Sequence, residues 1–347
     1  MMVFILSKLY NLMPNFIKNN SKVIHLVQTF NNHNKLNELE THYKMLDLIF
    51  SNCDIKATGV MREIQLLLLE LLRLFDNICK KHELNYWLDY GTLLGATRHK
   101  GFVPWDDDLD IAMPREDYNK FLEVFAQEIS NYPEISENII ISKLTKPHEN
   151  FPENANVLDI VNEGTFLLFF QCAYKRPYVH FDIFPKDYIL DEGLTEDRND
   201  LQQKLQVELR EKIASGEWTF DEGLEIQSKR MKFTNNKTKQ LSDPVDGLHN
   251  NICNRIYPVE YVYPLERIEF EGYSFSSPNS VEDYLPIIYG PEYMHIPHIA
   301  LDHNTTGFVK SQYASMKELK EDFEKERLKL KQINDNFQIS TPYESEQ

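Results

Sequence analysis

Four aspartates fall within the short run WDDDLDIAM, residues 105–113: Asp106, Asp107, Asp108 and Asp110. Alternation along a strand places successive side chains on opposite faces. Asp106, Asp108 and Asp110 then share one face, and Asp107 lies on the other with Leu109 and Ile111. Carboxylates two residues apart repel one another, and burial raises their pKa unless a cation compensates. A hard divalent metal such as Mg²⁺ meets that need, because it takes oxygen ligands from one or two carboxylates plus substrate phosphates.

Upstream stand Gly91-Thr92 and a basic patch of Arg98, His99 and Lys100. A turn that opens a helix presents backbone N–H groups to a phosphate, and the Thr92 hydroxyl adds a bond. Arg98 and Lys100 add positive charge between turn and acids. Together these features read as a metal-and-phosphate site. Two other readings of the acids fit less well. Apolar neighbours on both sides argue against a solvated acidic turn. An EF-hand needs Gly where Ile111 stands and Glu where Asp117 stands.

The elements that must position these residues follow from periodicity. Ile64, Leu67, Leu68, Leu71, Leu74, Phe75 and Ile78 form the apolar stripe of a helix from Val60 to about Leu84. Tyr86–Tyr90 reads as a short strand, Leu93–Arg98 as a short helix, Trp105–Met113 as a strand and Arg115–Ile129 as a helix. Further strands are expected at Ile139–Leu144, Thr165–Tyr174 and Val179–Phe184. Leu194–Phe233 is polar and helical, and its basic run Lys229-Arg230-Met231-Lys232 reads as a solvated face. Ile256–Phe275 carries strand-like pieces. Met316–Phe337 is an amphipathic helix. Without a regular βαβ period, the class is α+β.

The stretch YWLDYGTLLGATRHKGFVPWDDDLDIAMPREDY, residues 86–118, resembles the signature of the LicD family. That family includes bacterial phosphocholine transferases, fukutin and fukutin-related protein. The resemblance continues through Met61-Arg62-Glu63-Ile64-Gln65, His180 to Asp187 and Tyr289 to Met294, covering roughly residues 60–310. It implies a DNA polymerase beta-like nucleotidyltransferase fold, a mixed sheet flanked by helices. In such a fold Gly91-Thr92 is the turn, Asp108 and Asp110 are the acid pair, Asp106 extends the pair, and a third acid comes from a later strand. Asp182 is the candidate for that acid, with Asp187 the weaker one. The implied reaction moves phosphocholine from CDP-choline to a hydroxyl of a cell-surface glycan and releases CMP. Ribitol phosphate or another CDP-linked alcohol is the alternative cargo. Asp106, Asp108, Asp110 and Asp182 would hold Mg²⁺ or Mn²⁺, while Gly91, Thr92, Arg98 and Lys100 would neutralise phosphates. A choline head group would suit an aromatic cage, and Trp87, Tyr90, Trp105, Tyr118 and Tyr178 lie close in sequence. The Tyr289 to Met294 segment has no evident chemical role.

Composition bounds the remaining options. Against 37 Lys+Arg stand 54 Asp+Glu, a net charge of −17 that disfavours a nucleic-acid partner. The 4 cysteines form no C-x-x-C, which points to a reducing, cytoplasmic setting. The apolar start MMVFILSKLYNLMPNF is too short to span a bilayer, but leaves peripheral contact with the inner membrane face open. His295, His298, Asp302 and His303 are spaced as a loop lining an acceptor cleft or, less well, a zinc site. The expected organisation is an N-terminal extension over 1–57, a catalytic domain over 58–315 and a C-terminal helix and tail over 316–347. A GT-A sugar transferase would need a longer nucleotide-binding array before its acids. A non-catalytic binding module would not need the acids intact.

Overall fold

The computed structural model describes residues 35, 37–45, 48, 55–136, 139–143, 168–172, 179–244, 255–296 and 305–337. The apolar N-terminal run, Tyr178, His298, Asp302 and His303 lie outside these residues. Two compact units are distinguished, one formed by 1–54 with 295–299 and one by the rest of the chain. In the first, residues 37–45 are helical, with a Glu40–Lys44 ion pair at 2.8 Å.

The second unit begins with α1, Gly59–Lys81, followed by β1, Trp87–Leu88, and α2, Tyr90–His99. Next come β2, Leu109–Pro114, α3, Arg115–Ser130, β3, Ile139–Lys143, β4, Leu168–Cys172, and β5, Val179–Ile189. Helices α4, Arg198–Ala214, and α5, Phe220–Arg230, precede the short strands β6, Phe233–Thr234, β7, Gln240–Ser242, and β8, Ile256–Pro258. The hairpin β9, Glu266–Phe270, and β10, Tyr273–Ser277, leads to α6, Val281–Tyr289, and finally α7, Met316–Asn336.

Among the described residues eight strands form one mixed sheet, five of them in the order β1-β2-β5-β4-β3. Only β2 and β5 run parallel in that path, with Asp110 opposite Asp182. The far half of β5 pairs with β6 and β7, and β8 pairs with β7. Helices flank this mixed sheet, as the α+β reading expects. Every residue of the predicted α1 stripe is at most 1% exposed, which is worth about 1.5–3 kcal/mol for each side chain buried. The stripe packs in the same core as Leu109, Ile111 and Met113 of β2 and Phe121 and Phe125 of α3. On the other side α1 meets α7: Asn334 donates to the Glu70 carbonyl at 2.9 Å, and Arg73 pairs with Asp335 at 2.8 Å. The C-terminal helix is therefore laid along α1 within the same compact unit. Among the described residues no helix is long and apolar enough to cross a membrane.

One expectation is corrected. The strand read from Trp105 starts only at Leu109. Pro104 and Trp105 form a turn, Asp106 N–H bonds back to the Val103 carbonyl at 3.0 Å, and residues 106–108 lie outside the ladder. The carbonyls of Val103 and Asp106 accept instead from Gln65 Nε2 of α1, at 3.2 and 2.9 Å. Strand alternation thus does not govern Asp106 to Asp108.

The approach to this loop is held from the hairpin. Glu271 and Gly272 make its two-residue turn, with φ of 51° and 79°. The Glu271 N–H donates to the Lys100 carbonyl at 2.9 Å, and its carboxylate accepts from Phe102 N–H at 3.3 Å. Arg62 and Lys56 pair with that carboxylate at 2.8 and 3.2 Å. Burial alone would raise the Glu271 pKa, but the Arg62 and Lys56 charges outweigh it and hold it below the ordinary 4.5. A depressed folded pKa contributes stability that is present above the unfolded value and lost as pH falls through the folded one. Glu271→Gln should therefore cost about 1–3 kcal/mol at pH 7, discounted because both cations are partly exposed. In urea titrations the gap between variant and wild type should close below the carboxylate range. A gap that persists in acid would contradict this account.

Candidate active site

Three carboxylates meet where β2 lies beside β5. Asp108, Asp110 and Asp182 each offer an oxygen within 4.8 Å of the others. The parallel register Asp110–Asp182 brings the last two together from strands 72 residues apart. Asp106, Asp107 and Asp108 form a second group on the same criterion, sharing Asp108. Asp107, expected on the opposite face, therefore gathers with its neighbours because the chain there is a loop. Asp107 and Asp108 are buried, and Asp182 is 9% exposed. Burial first, then the charges of Asp108, Asp106 and Asp182, push the Asp110 carboxyl well above the usual carboxylate range. Anionic oxygens this close are stable together only when protons or a cation offset their repulsion. Oxygen donors at this spacing fit a hard divalent ion.

The turn before the acids serves them directly. Asp89 caps α2 by accepting from Tyr90 N–H at 2.9 Å. Gly91 N–H donates to Asp110 Oδ2 at 2.9 Å, and Thr92 Oγ1 accepts from Asp110 N–H at 2.8 Å. A Cβ on Gly91 would stand 2.5 Å from Asp106 Oδ2 and 3.2 Å from Asp110 Oδ2. Glycine is required here by the close approach of the carboxylates. In this structure Gly91 and Thr92 hold an acid; the phosphate role expected of them is a separate matter.

The basic patch is divided. Arg98 donates to His99 Nε2 at 2.9 Å and to the Tyr293 carbonyl at 3.2 Å, tying α2 to the segment after α6. Lys100 is exposed, with the left-handed φ of 53° that ends α2. Asp187, the weaker candidate for the third acid, is held by Arg115 in a fork with contacts of 2.8 and 2.6 Å. It neighbours Lys186 rather than Asp182 on β5, so alternation turns it to the other face. Of the rings considered for a choline cage, Trp87 and Tyr118 are buried in the hydrophobic core. Large rings flanked by apolar runs are more effective in the core than on a rim.

A second layer escapes sequence reading. Lys186 lies four residues beyond Asp182 and has no solvent exposure. Its Nζ is 2.9 Å from Asp89 and 2.7 Å from Asp243, both also fully buried. Burial favours loss of its proton, but Asp243 and Asp89 outweigh this and hold it charged. Tyr284 donates to Asp89 at 2.9 Å, and Tyr90 and Tyr257 donate to Asp243 at 3.1 and 3.2 Å. The ring of Tyr90 lies 4.9 Å from the Lys186 Nζ and 5.5 Å from the Arg255 guanidinium. These contacts hold Tyr90 at φ of 35°, a conformation that costs roughly 1–3 kcal/mol for a non-glycine residue. Neither Asp89, read as part of a strand, nor Lys186, beyond the strand expected at Val179–Phe184, was marked by the sequence, because the helix starts earlier and β5 runs longer than periodicity indicates. Asp243 left no signal. Lys186→Ala would leave two buried carboxylates without their lysine, and urea denaturation should read a loss of about 3–5 kcal/mol. A loss under about 1 kcal/mol would mean that the network is not structural.

Residues 83–155 match the family model described as LicD/FKTN/FKRP, nucleotidyltransferase domain. The chain is 48% identical over 68 residues to the lipopolysaccharide cholinephosphotransferase LicD of Haemophilus influenzae, 20% of this chain and 26% of that one. It is 36% identical over 77 residues to an uncharacterised protein of Rickettsia typhi, 22% and 25% of the two chains. Human ribitol 5-phosphate transferase FKRP is 40% identical over 48 residues, 14% of this chain and 10% of FKRP. The matched segments thus span about a quarter of the two bacterial relatives and a tenth of FKRP. The family-model match takes in the turn, the helix and the acid run, and over that stretch the chain is similar to the LicD family.

Proposed function

We propose that this protein transfers phosphocholine from CDP-choline to a hydroxyl of a cell-surface glycan, releasing CMP. The observation that carries the reading is the convergence within 4.8 Å of Asp110 and Asp182 from two paired strands and Asp108 from the loop before β2. The family-model match over residues 83–155 takes in Asp108 and Asp110, and the chain is similar over 68 residues to a cholinephosphotransferase. Asp108, Asp110 and Asp182, with Asp106 beside them, would hold Mg²⁺ or Mn²⁺. When bound, the ions polarise the diphosphate and offset the charge on departing CMP.

The chain's own residues do the rest. Gly91 and Thr92 lock Asp110 in place, so its carboxylate needs no reorganisation when substrate arrives. Asp182 accepts the proton of the acceptor hydroxyl. The acceptor oxygen bonds the phosphorus nearer the alcohol, in line with the bond to the bridging oxygen, which leaves with CMP. In this reading Arg98 and Lys100 would neutralise donor phosphate, a role that for Arg98 requires release from His99 or the Tyr293 carbonyl. Similarity to FKRP keeps ribitol phosphate as the second cargo. The net charge of −17 supports a glycan acceptor over nucleic acid.

The test is CMP release from a panel of CDP-choline, CDP-ribitol, CDP-glycerol and UDP-sugars with Mg²⁺ and a glycan acceptor. CDP-choline should be turned over. Asp108→Asn, Asp110→Asn and Asp182→Asn should each reduce kcat by at least about a thousandfold, with the fold intact by circular dichroism. Asp187→Asn should retain most activity, because Asp187 serves the fork with Arg115. Release of UDP alone, or an Asp110→Asn variant near wild-type rate, would overturn the proposal.

A further inference from the structure

A cavity of about 790 Å³ lies at the carboxyl ends of β2 and β5, apart from the acids. That volume is within the roughly 300–1,000 Å³ typical of ligand sites, and crevices outside the carboxyl ends of parallel strands are a common place for them. Pro114 stands four residues along β2 from Asp110, and Asp187 five along β5 from Asp182. At roughly 3.3 Å per residue the cavity is about 13–17 Å from the carboxylate cluster. Its walls come from the start of α3, the end of β5, the turn between β6 and β7, and Val259 and Tyr263.

The lining carries both signs of charge and commits most of it internally. Arg115 grips Asp187 in its fork, and Asp117 accepts from the Asn85 N–H and Nδ2 at 3.1 and 2.9 Å. With Glu116 and Lys237, both exposed, the carboxylates outnumber the cations by three to two. An anion such as phosphate is therefore not favoured. Nor is a metal ion: among the described residues Glu116, Asp117 and Asp187 do not gather as ligands for one.

What the cavity offers instead is neutral and able both to donate and to accept. The exposed carboxamides of Asn119 on α3 and Asn235 after β6 line it, and among the described residues neither side chain makes a hydrogen bond. Each amide has two donors and an acceptor. Tyr188 and Tyr263 line it as well, partly buried against the hydrophobic core. Among the described residues neither tyrosine hydroxyl has a hydrogen-bond partner. A sugar matches this set, because its hydroxyls donate and accept and its C–H faces pack on aromatic rings.

We propose that this cavity binds an uncharged stretch of saccharide. The inference rests on the proposed function in taking that stretch to be part of the acceptor glycan, held away from the hydroxyl that reacts. A glycan of several sugars spans the distance between cavity and acids. Binding energy from the remote sugars then positions the reacting one, and affinity for the acceptor need not come from the crowded carboxylates.

Saturation-transfer NMR with linear oligosaccharides of hexose and N-acetylhexosamine, up to tetrasaccharides, should detect binding to the wild-type protein. Asn119→Ala and Asn235→Ala should each weaken it roughly 5- to 10-fold, with the melting temperature unchanged. Asp110→Asn should bind the same oligosaccharides as the wild type does, because Asp110 lies outside the cavity. The inference is overturned if no member of the panel binds, if both alanine variants bind like the wild type, or if Asp110→Asn abolishes binding. Binding that the alanine variants weaken, with CMP released from no donor, would count against the proposed function and leave the saccharide site standing. The two readings therefore fail by different results.

Discussion

Among the described residues, Lys186 is the one ammonium group with no access to solvent that bridges two equally buried carboxylates. Removing three charges from water is costly, and their attraction offsets that cost only with good geometry and further hydrogen bonds. The tyrosines supply those bonds: Tyr284 on Asp89, and Tyr90 and Tyr257 on Asp243. The triad joins four parts of the chain, namely β5, the cap of α2, the residue after β7 and the helix α6. Each of these either carries a residue of the candidate site or borders it. A strained Tyr90 is tolerated because its hydroxyl, its ring and its N–H are all engaged.

That scaffold confronts a deliberate instability. The carboxylates of Asp108, Asp110 and Asp182 are crowded and partly desolvated, which raises the Asp110 pKa. Such crowding opposes folding and is found where a site is to bind charge. Its placement depends on two different devices. Asp110 and Asp182 are brought together by strand register, which is rigid. Asp106 and Asp108 are brought in by a loop, which Gln65 and Glu271 hold from α1 and the hairpin. The helix, the hairpin and the sheet thus all bear on one cluster, so distant substitutions in them should act on the site through the loop.

How far this was readable differs residue by residue. The α1 stripe, the β2 apolar side and the start of α3 at Arg115 follow from periodicity, and the structure has them where expected. The length of β5 was underestimated. It runs on through Pro185, Lys186 and Asp187 because β7 pairs with its far end and the triad accommodates the lysine. The start of β2 was overestimated. Alternation cannot tell whether a carbonyl will bond a neighbouring strand or the side chain of Gln65, since both leave the local sequence unchanged.

By itself the sequence determined which residues could do chemistry, a cluster of acids beside a small-residue turn, the helix and strand types around them, and a resemblance to the LicD family over that stretch. Those properties are local, set by spacing, propensity and side-chain type within a few turns or a single strand. Only the tertiary structure decided that Asp182 rather than Asp187 joins the acids, that Asp107 gathers with its neighbours, and that Lys186, Asp89 and Asp243 lock the scaffold. Each of these depends on which strands pair in which register and which buried charges meet. Such contacts span up to 97 residues, between Asp89 and Lys186, and no local pattern encodes a partner that far away.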